Sequence, residues 1–284
     1  MKNFLILFVL FFALNSPVLS QTPVPVIDIP YAPTSKYRDG WEERGEKWAK
    51  WLSPAVMVTE RGGGGSGTIC YYDGEYAYII SCGHLYNTGR KSYSEYQKSP
   101  RYKDITVFYQ NGKQLCEYKK FKAETLCHVW NVPYDVSLLR FKPDWNDPWV
   151  APIAPVDYKL EKDKFYHSTG CDGLTPTAHY LVRYRYENTE GRISEIITTG
   201  ENGPRGGRSG GGVLTEDGQL IFICSRGSRD AAYWTSLLQI HTFLKEEGFG
   251  YILEPSKAKT LPIVDRLSPQ QQYPQDFILL PKRR

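Results

Sequence analysis

Residues 206–224, Gly206-Gly207-Arg208-Ser209-Gly210-Gly211-Gly212-Val213-Leu214-Thr215-Glu216-Asp217-Gly218-Gln219-Leu220-Ile221-Phe222-Ile223-Cys224, decide between two folds. A nucleophilic serine needs close backbone approach by its substrate and amide donors free of side-chain obstruction, and the glycines around Ser209 supply both. The same letters fit two settings. Gly207-Arg208-Ser209-Gly210-Gly211 satisfies the Gly-x-Ser-x-Gly pattern of a strand-turn-helix elbow, and Asp217 or Asp230 followed by His241 satisfies the order of serine, acid and histidine that goes with it. An elbow must lead into a helix, however. Ser209 leads instead into two β-rich runs joined at Asp217-Gly218, a hairpin signal because glycine tolerates the positive φ of a tight turn.

Outward from this stretch the β texture continues. Short runs rich in β-branched and aromatic residues lie at 55–58, 67–72, 76–81, 105–109, 114–121, 136–141, 180–186, 192–198, 212–215 and 220–224, with Asp73-Gly74 and Asn111-Gly112 as further hairpin signals. The helices that a parallel sheet requires between its strands are missing. The pattern predicts an all-β chain of antiparallel barrels or a sandwich. Two helices are expected at its margins. Trp41, Trp48 and Trp51 or Leu52 recur at helical spacing over 39–52, and Trp234, Leu237, Leu238, His241 and Leu244 fall on one face of a segment stopped by Gly248. His241 reads there as a packing residue. No internal sequence repeat is visible, and the Pro- and Asp-rich stretch 143–155 marks a boundary between halves at roughly 53–145 and 150–249.

Composition excludes several classes. The 35 Lys and Arg against 31 Asp and Glu give a net charge of +4 that is spread along the chain, so no nucleic-acid partner is expected. Lys2 followed by the apolar run Phe4–Leu14 and the small residues Val18 and Ser20 has the grammar of a signal peptide over 1–20. That run is too short to span a hydrocarbon core of roughly 30 Å. The chain is therefore expected to be secreted or periplasmic, without stable membrane insertion after cleavage. A Pro-rich leader over 21–38 and a tail over 250–284, too short for an appended domain, complete the outline. Six cysteines in an exported chain (Cys70, Cys82, Cys116, Cys127, Cys171 and Cys224) allow up to three disulfides. No Cys-x-x-Cys pair is present, so no structural zinc is expected, and Gly62–Gly67 lacks the Lys of a phosphate-binding loop. No cofactor is implied.

Two further stretches carry candidate chemistry. Ile79-Ile80-Ser81-Cys82-Gly83-His84 is an apolar strand ending in small residues and then an imidazole, which suits a base facing a cleft. Tyr134-Asp135-Val136-Ser137-Leu138-Leu139 places an acid just before an apolar strand, where a carboxylate costs several kcal/mol unless hydrogen-bonded. An imidazole N–H satisfies it; so do nearby backbone amides.

Taken together, the three stretches resemble the trypsin-like, chymotrypsin-fold serine peptidases, in which a small-small-His strand end, an Asp-apolar-Ser-Leu strand and Gly-x-Ser-Gly-Gly follow in this order. Gly65-Ser66-Gly67-Thr68-Ile69 is similar to the family's entry into the histidine strand, and the resemblance runs from about 53 to 248. It implies two Greek-key barrels, a protein or peptide substrate, and a triad of His84, Asp135 and Ser209, with the amides of Gly207 and Ser209 as oxyanion hole. Ser225-Arg226-Gly227 occupies the place of the segment that pairs with substrate backbone. Arg208 departs from the acid that, in zymogen-activated members, receives a freed N-terminus, so activation of that kind is not expected; the chain is closest in style to the bacterial high-temperature-requirement type without its C-terminal peptide-binding domain. Gly203, six before Ser209, provides no acid to select basic side chains, and Arg226 is expected to disfavour Lys or Arg at the cleaved residue. The rival readings are a catalytically silent binding module of the same fold and an α/β-hydrolase esterase.

Overall fold

Strand pairing turns the β-rich runs into two closed rings. The computed structural model describes residues 51, 54–60, 63–87, 89–111, 114–131, 134–144, 150–161, 164–174, 178–187, 192–197, 206–227, 231–254 and 278–279. In chain order these form β1 (Ala55–Glu60), β2 (Gly63–Tyr72), β3 (Ala77–Ser81), the short β4 (Arg90–Lys91), α1 (Tyr93–Lys98), β5 (Tyr102–Asn111), β6 (Gln114–Asn131) and β7 (Tyr134–Phe141). A second group follows: β8 (Phe165–Gly170), β9 (Ala178–Glu187), β10 (Arg192–Ile197), β11 (Gly212–Leu214), β12 (Leu220–Gly227), β13 (Ala231–Thr235) and α2 (Leu237–Glu246). The first ring runs β6-β5-β1-β2-β3-β7 and closes by β7 pairing with β6; the second is the closed barrel β10-β13-β12-β11-β8-β9. Every pairing within them is antiparallel. Counted from its own first strand, each ring has the same cyclic order, first-second-third-sixth-fifth-fourth. The expected two-barrel, all-β architecture is the one found, with a topological repeat that leaves no trace in the sequence.

β2 and β3 show why these strands are apolar without alternation. Successive residues face opposite sides of a strand. Ile79 enters a cluster with Val56, Val58, Ile105 and Leu139 inside the first barrel, while its neighbour Ile80 joins a second cluster with Tyr166, Val213, Ile223 and Trp234 of the second barrel. Leu139 and Leu138 divide in the same way. A strand buried on both faces reads as a continuous apolar run. This shared layer welds the barrels together along β2, β3 and β7, and strand ends at its rim are where a cleft opens.

The sequence reading missed β8 and β13. β8 is Phe-Tyr-His-Ser-Thr-Gly, too polar to signal a strand, and the Trp234 of β13 was assigned to the helix that follows. That helix begins later: Ser236 caps α2 in a capping box, accepting from the Gln239 amide while its own amide donates to the Gln239 side chain. Leu237, Ile240, Phe243 and Leu244 are buried, but Leu238 is 61 % exposed, so it is not on the packing face. His241 is a packing residue, with Nε2 and the Ala154 carbonyl oxygen 2.8 Å apart.

The disulfides the cysteine count allowed are a correction. Cys70, Cys82, Cys127, Cys171 and Cys224 are buried thiols packed within strands and cores as small hydrophobes. The Cys116 side chain lies outside the described residues, as do the signal, the leader, Gly203 and, apart from Trp51, the helix expected at 39–52. Trp51 is buried, its Nε1 donating to the Thr215 carbonyl at 3.1 Å and its ring stacked on His167 at 3.6 Å. From the tail, β14 (Ile278–Leu279) pairs with β6. Among the described residues no helix is long and apolar enough to cross a membrane.

Candidate active site

β3 ends at Ser81, and the chain turns past β6 in a one-turn 3-10 segment, Gly83–Tyr86. Gly83 makes the turn possible: a Cβ there would stand 1.9 Å from the Val129 carbonyl oxygen. The turn delivers His84, and β7 supplies its partner. The His84 backbone amide donates to Asp135 Oδ1 at 2.8 Å, and its Nδ1–H donates to Oδ2 at 2.8 Å. Two bonds from one residue fix the imidazole's position, its plane and the tautomer that leaves Nε2 basic.

Asp135 is 1 % exposed and is held from the second barrel as well. Ser225 Oγ on β12 donates to Oδ2 at 2.5 Å, and Thr235 Oγ1 on β13 donates to the Asp135 backbone carbonyl at 3.0 Å. Burial pushes the carboxyl upward, but hydrogen bonds from His84 and Ser225 favour the charged form more strongly, and the net shift is below the ordinary carboxylate value.

Ser209 comes from the second barrel on the glycine-rich turn before β11. The elbow reading fails here, because a strand and not a helix follows. The turn is pinned to the first barrel through Ser66 on β2. Ser66 N donates to the Ser209 carbonyl at 2.6 Å, while its Oγ donates to the Gly207 carbonyl at 2.7 Å and accepts from the Cys171 amide at 2.7 Å. Gly207 has φ +99°, and a Cβ would meet the Cys171 carbonyl at 2.5 Å, so glycine is required on both counts. Arg208 is buried, its Cδ packed so close to Gly170 that a Cβ there would lie 2.8 Å away. Its cationic side chain occupies the interior beside the turn that carries Ser209.

His84 and Ser209 line one cleft of about 320 Å³ with Val58, Gly64, Leu85 and Lys103. Among the described residues Ser209 Oγ makes no hydrogen bond to His84; the polar atom next to Nε2 is Cys82 Sγ at 3.7 Å. Of the residues assigned to substrate, Ser225 has its hydroxyl on Asp135, and Arg226 is exposed with its guanidinium 5.0 Å from the Tyr233 ring centre on β13. Gly227 pairs with Ala232.

The sequence reading missed the charged wall of the cleft. Glu60 on β1 accepts from Arg101 at 2.6 and 2.7 Å and pairs with the buried ammonium of Lys103, which also donates to the Leu85 carbonyl at 3.1 Å. These groups are some forty residues apart and meet only because β5 pairs with β1, so nothing local signals them. The double role of Ser66 was equally silent.

No protein-family model matches the chain, and no curated protein matches it in sequence. Solved structures match it in fold. Rv3671c from M. tuberculosis H37Rv, a mutant in an inactive form, aligns with a TM-score of 0.51 at 13 % identity, covering 79 % of this chain and 97 % of that one. The Rv3671c protease in its inactive form aligns at 0.51 and 14 %, over 78 % and 100 %. A serine endoprotease from Yersinia pestis aligns at 0.51 and 16 %, over 75 % and 67 %. The chain has the chymotrypsin-like two-barrel fold. The cleft takes His84 from one barrel and Ser209 from the other, while Asp135 and Ser225 are buried behind the imidazole.

Proposed function

We propose that the chain is an exported serine endopeptidase that hydrolyses peptide bonds through an acyl-enzyme. The observation that carries this reading is the Asp135–His84 pair, doubly hydrogen-bonded with its carboxylate buried and its imidazole opening onto the same cleft as Ser209. In the reaction Ser209 Oγ attacks the peptide carbonyl as His84 Nε2 takes its proton. The imidazolium returns that proton to the leaving amine, and water repeats the sequence on the ester. Asp135 holds the tautomer and stabilises the imidazolium through Nδ1–H. The amides of Gly207 and Ser209 receive the oxyanion, each such donor being worth about 3 kcal/mol. With the imidazole held by Asp135, Ser209 Oγ turns to Nε2 when substrate fills the cleft, as catalytic hydrogen bonds tighten in the complex.

A fluorophosphonate probe should label the protein covalently, and labelling should vanish in Ser209→Ala and in His84→Ala because the groups act as a unit. The second reading, a catalytically silent binding module, is favoured by the lack of a Ser209–His84 bond; absent labelling of the native chain would establish it. Export is tested by the N-terminus of the secreted product, expected just after Ser20. A peptide-library profile dominated by Lys or Arg at the cleaved residue would overturn the specificity assigned to Arg226.

A further inference from the structure

Cys82 Sγ stands 3.7 Å from His84 Nε2, the ring nitrogen that Asp135 does not hold. The thiol is fully buried, and no step of the proposed hydrolysis uses it. Ligand atoms of Cys82, His84 and Asp135 lie within 4.8 Å of one another. Zinc bonds a thiolate sulfur at about 2.3 Å and an imidazole nitrogen at about 2.0 Å. A sulfur–nitrogen gap of 3.7 Å is spanned by two such bonds meeting at roughly 120°, close to tetrahedral. Asp135 on Nδ1 then supplies the carboxylate that orients a metal-bound imidazole from behind.

We propose that Cys82 Sγ and His84 Nε2 form an inhibitory site for a divalent cation of the zinc class, backed by Asp135. On binding, the S–H bond breaks and its proton goes to solvent, the sulfur and the Nε2 lone pair bond the cation, and water fills its remaining positions; nothing is oxidised or reduced. The cation takes the lone pair that would accept the proton of Ser209. Magnesium and calcium, which favour oxygen ligands, do not compete. That occupancy inhibits rests on the reading of His84 as the base, whereas the site itself does not.

The two are separated by a spectroscopic and a kinetic measurement. Cobalt(II) titrated into the full-length Ser209→Ala chain is expected to bind one to one with a thiolate-to-cobalt charge-transfer band. The band should disappear in the added Cys82→Ala and Cys82→Ser variants, the serine version guarding against loss of fold. Asp135→Asn should weaken cobalt binding by about 10–100-fold. With Ser209 intact, zinc should slow fluorophosphonate labelling reversibly on chelation, and each Cys82 variant, compared with its own metal-free rate, should lose that sensitivity. Absence of the band, or its persistence in both Cys82 variants, overturns the site. A cobalt band in a chain that never labels would leave the site standing and overturn the protease reading instead.

Discussion

Ser66→Ala isolates what holds the turn that carries Ser209. The substitution deletes one hydroxyl that donates to the Gly207 carbonyl and accepts from the Cys171 amide, both at 2.7 Å, and leaves the Ser66 amide on the Ser209 carbonyl. Two hydrogen bonds at about 0.5–1.5 kcal/mol each put the loss at about 1–3 kcal/mol. The ceiling coincides with the roughly 3 kcal/mol that one oxyanion donor is worth, since the lost anchor is on Gly207, whose amide forms half of the proposed hole. At about 1.4 kcal/mol per factor of ten, kcat/KM should fall about 5- to 150-fold. The loss should appear in kcat with KM nearly unchanged, because the interaction matters most when charge develops on the oxyanion. Peptide hydrolysis and fluorophosphonate labelling rates, taken well below the melting temperature, read this directly. A lowered melting temperature with an unchanged labelling rate would refute the reasoning by reducing Ser66 to a structural brace.

Gly83→Ala must move the Val129 carbonyl or the histidine turn, since its Cβ would lie 1.9 Å from that oxygen; a labelling rate within twofold of the native chain would contradict the geometry. Trp51→Ala removes a buried ring stacked on His167 and should cost about 3–5 kcal/mol of unfolding free energy, visible in the urea midpoint. The pH dependence follows from Asp135, whose pKa is lowered from 3.8 on folding. A lowered native pKa stabilises the fold fully above the unfolded value and loses that contribution as pH falls through the native one. The destabilisation caused by Asp135→Asn should thus be full above about pH 5 and shrink below about pH 4; a pH-independent difference in urea midpoints would refute it.

The fold was legible where local chemistry and burial agreed. Hairpin glycines such as Gly74 and Gly218 have the positive φ that the sequence demanded, and the apolar runs around Ile79 and Leu138 are strands buried on both faces. β8 escaped because a strand carrying His167, Ser168 and Thr169 reads as polar; its three polar residues are buried, His167 between Trp51 and Glu216, partners that only the tertiary structure provides. The same limit governed the cleft. His84, Asp135 and Ser209 announce themselves through their neighbours in the chain, whereas Glu60 with Lys103 and Ser66 with Gly207 become partners only through strand pairing or barrel contact. The cysteines misled because counting thiols along a sequence says nothing about whether strands bring them together.

That both barrels share one cyclic order, yet divide the reactive groups between them, bears on how such a chain is made. Residues 55–141, which hold the imidazole and its carboxylate, leave the ribosome before any of the second barrel, and so before Ser209. The hydroxyl of Ser209 arrives more than sixty residues later, and the Ser225 that steadies the carboxylate arrives last. If the chain is the peptidase proposed above, a half-made chain lacks its nucleophile, and the capacity to cut is conferred only when the second ring docks on the first.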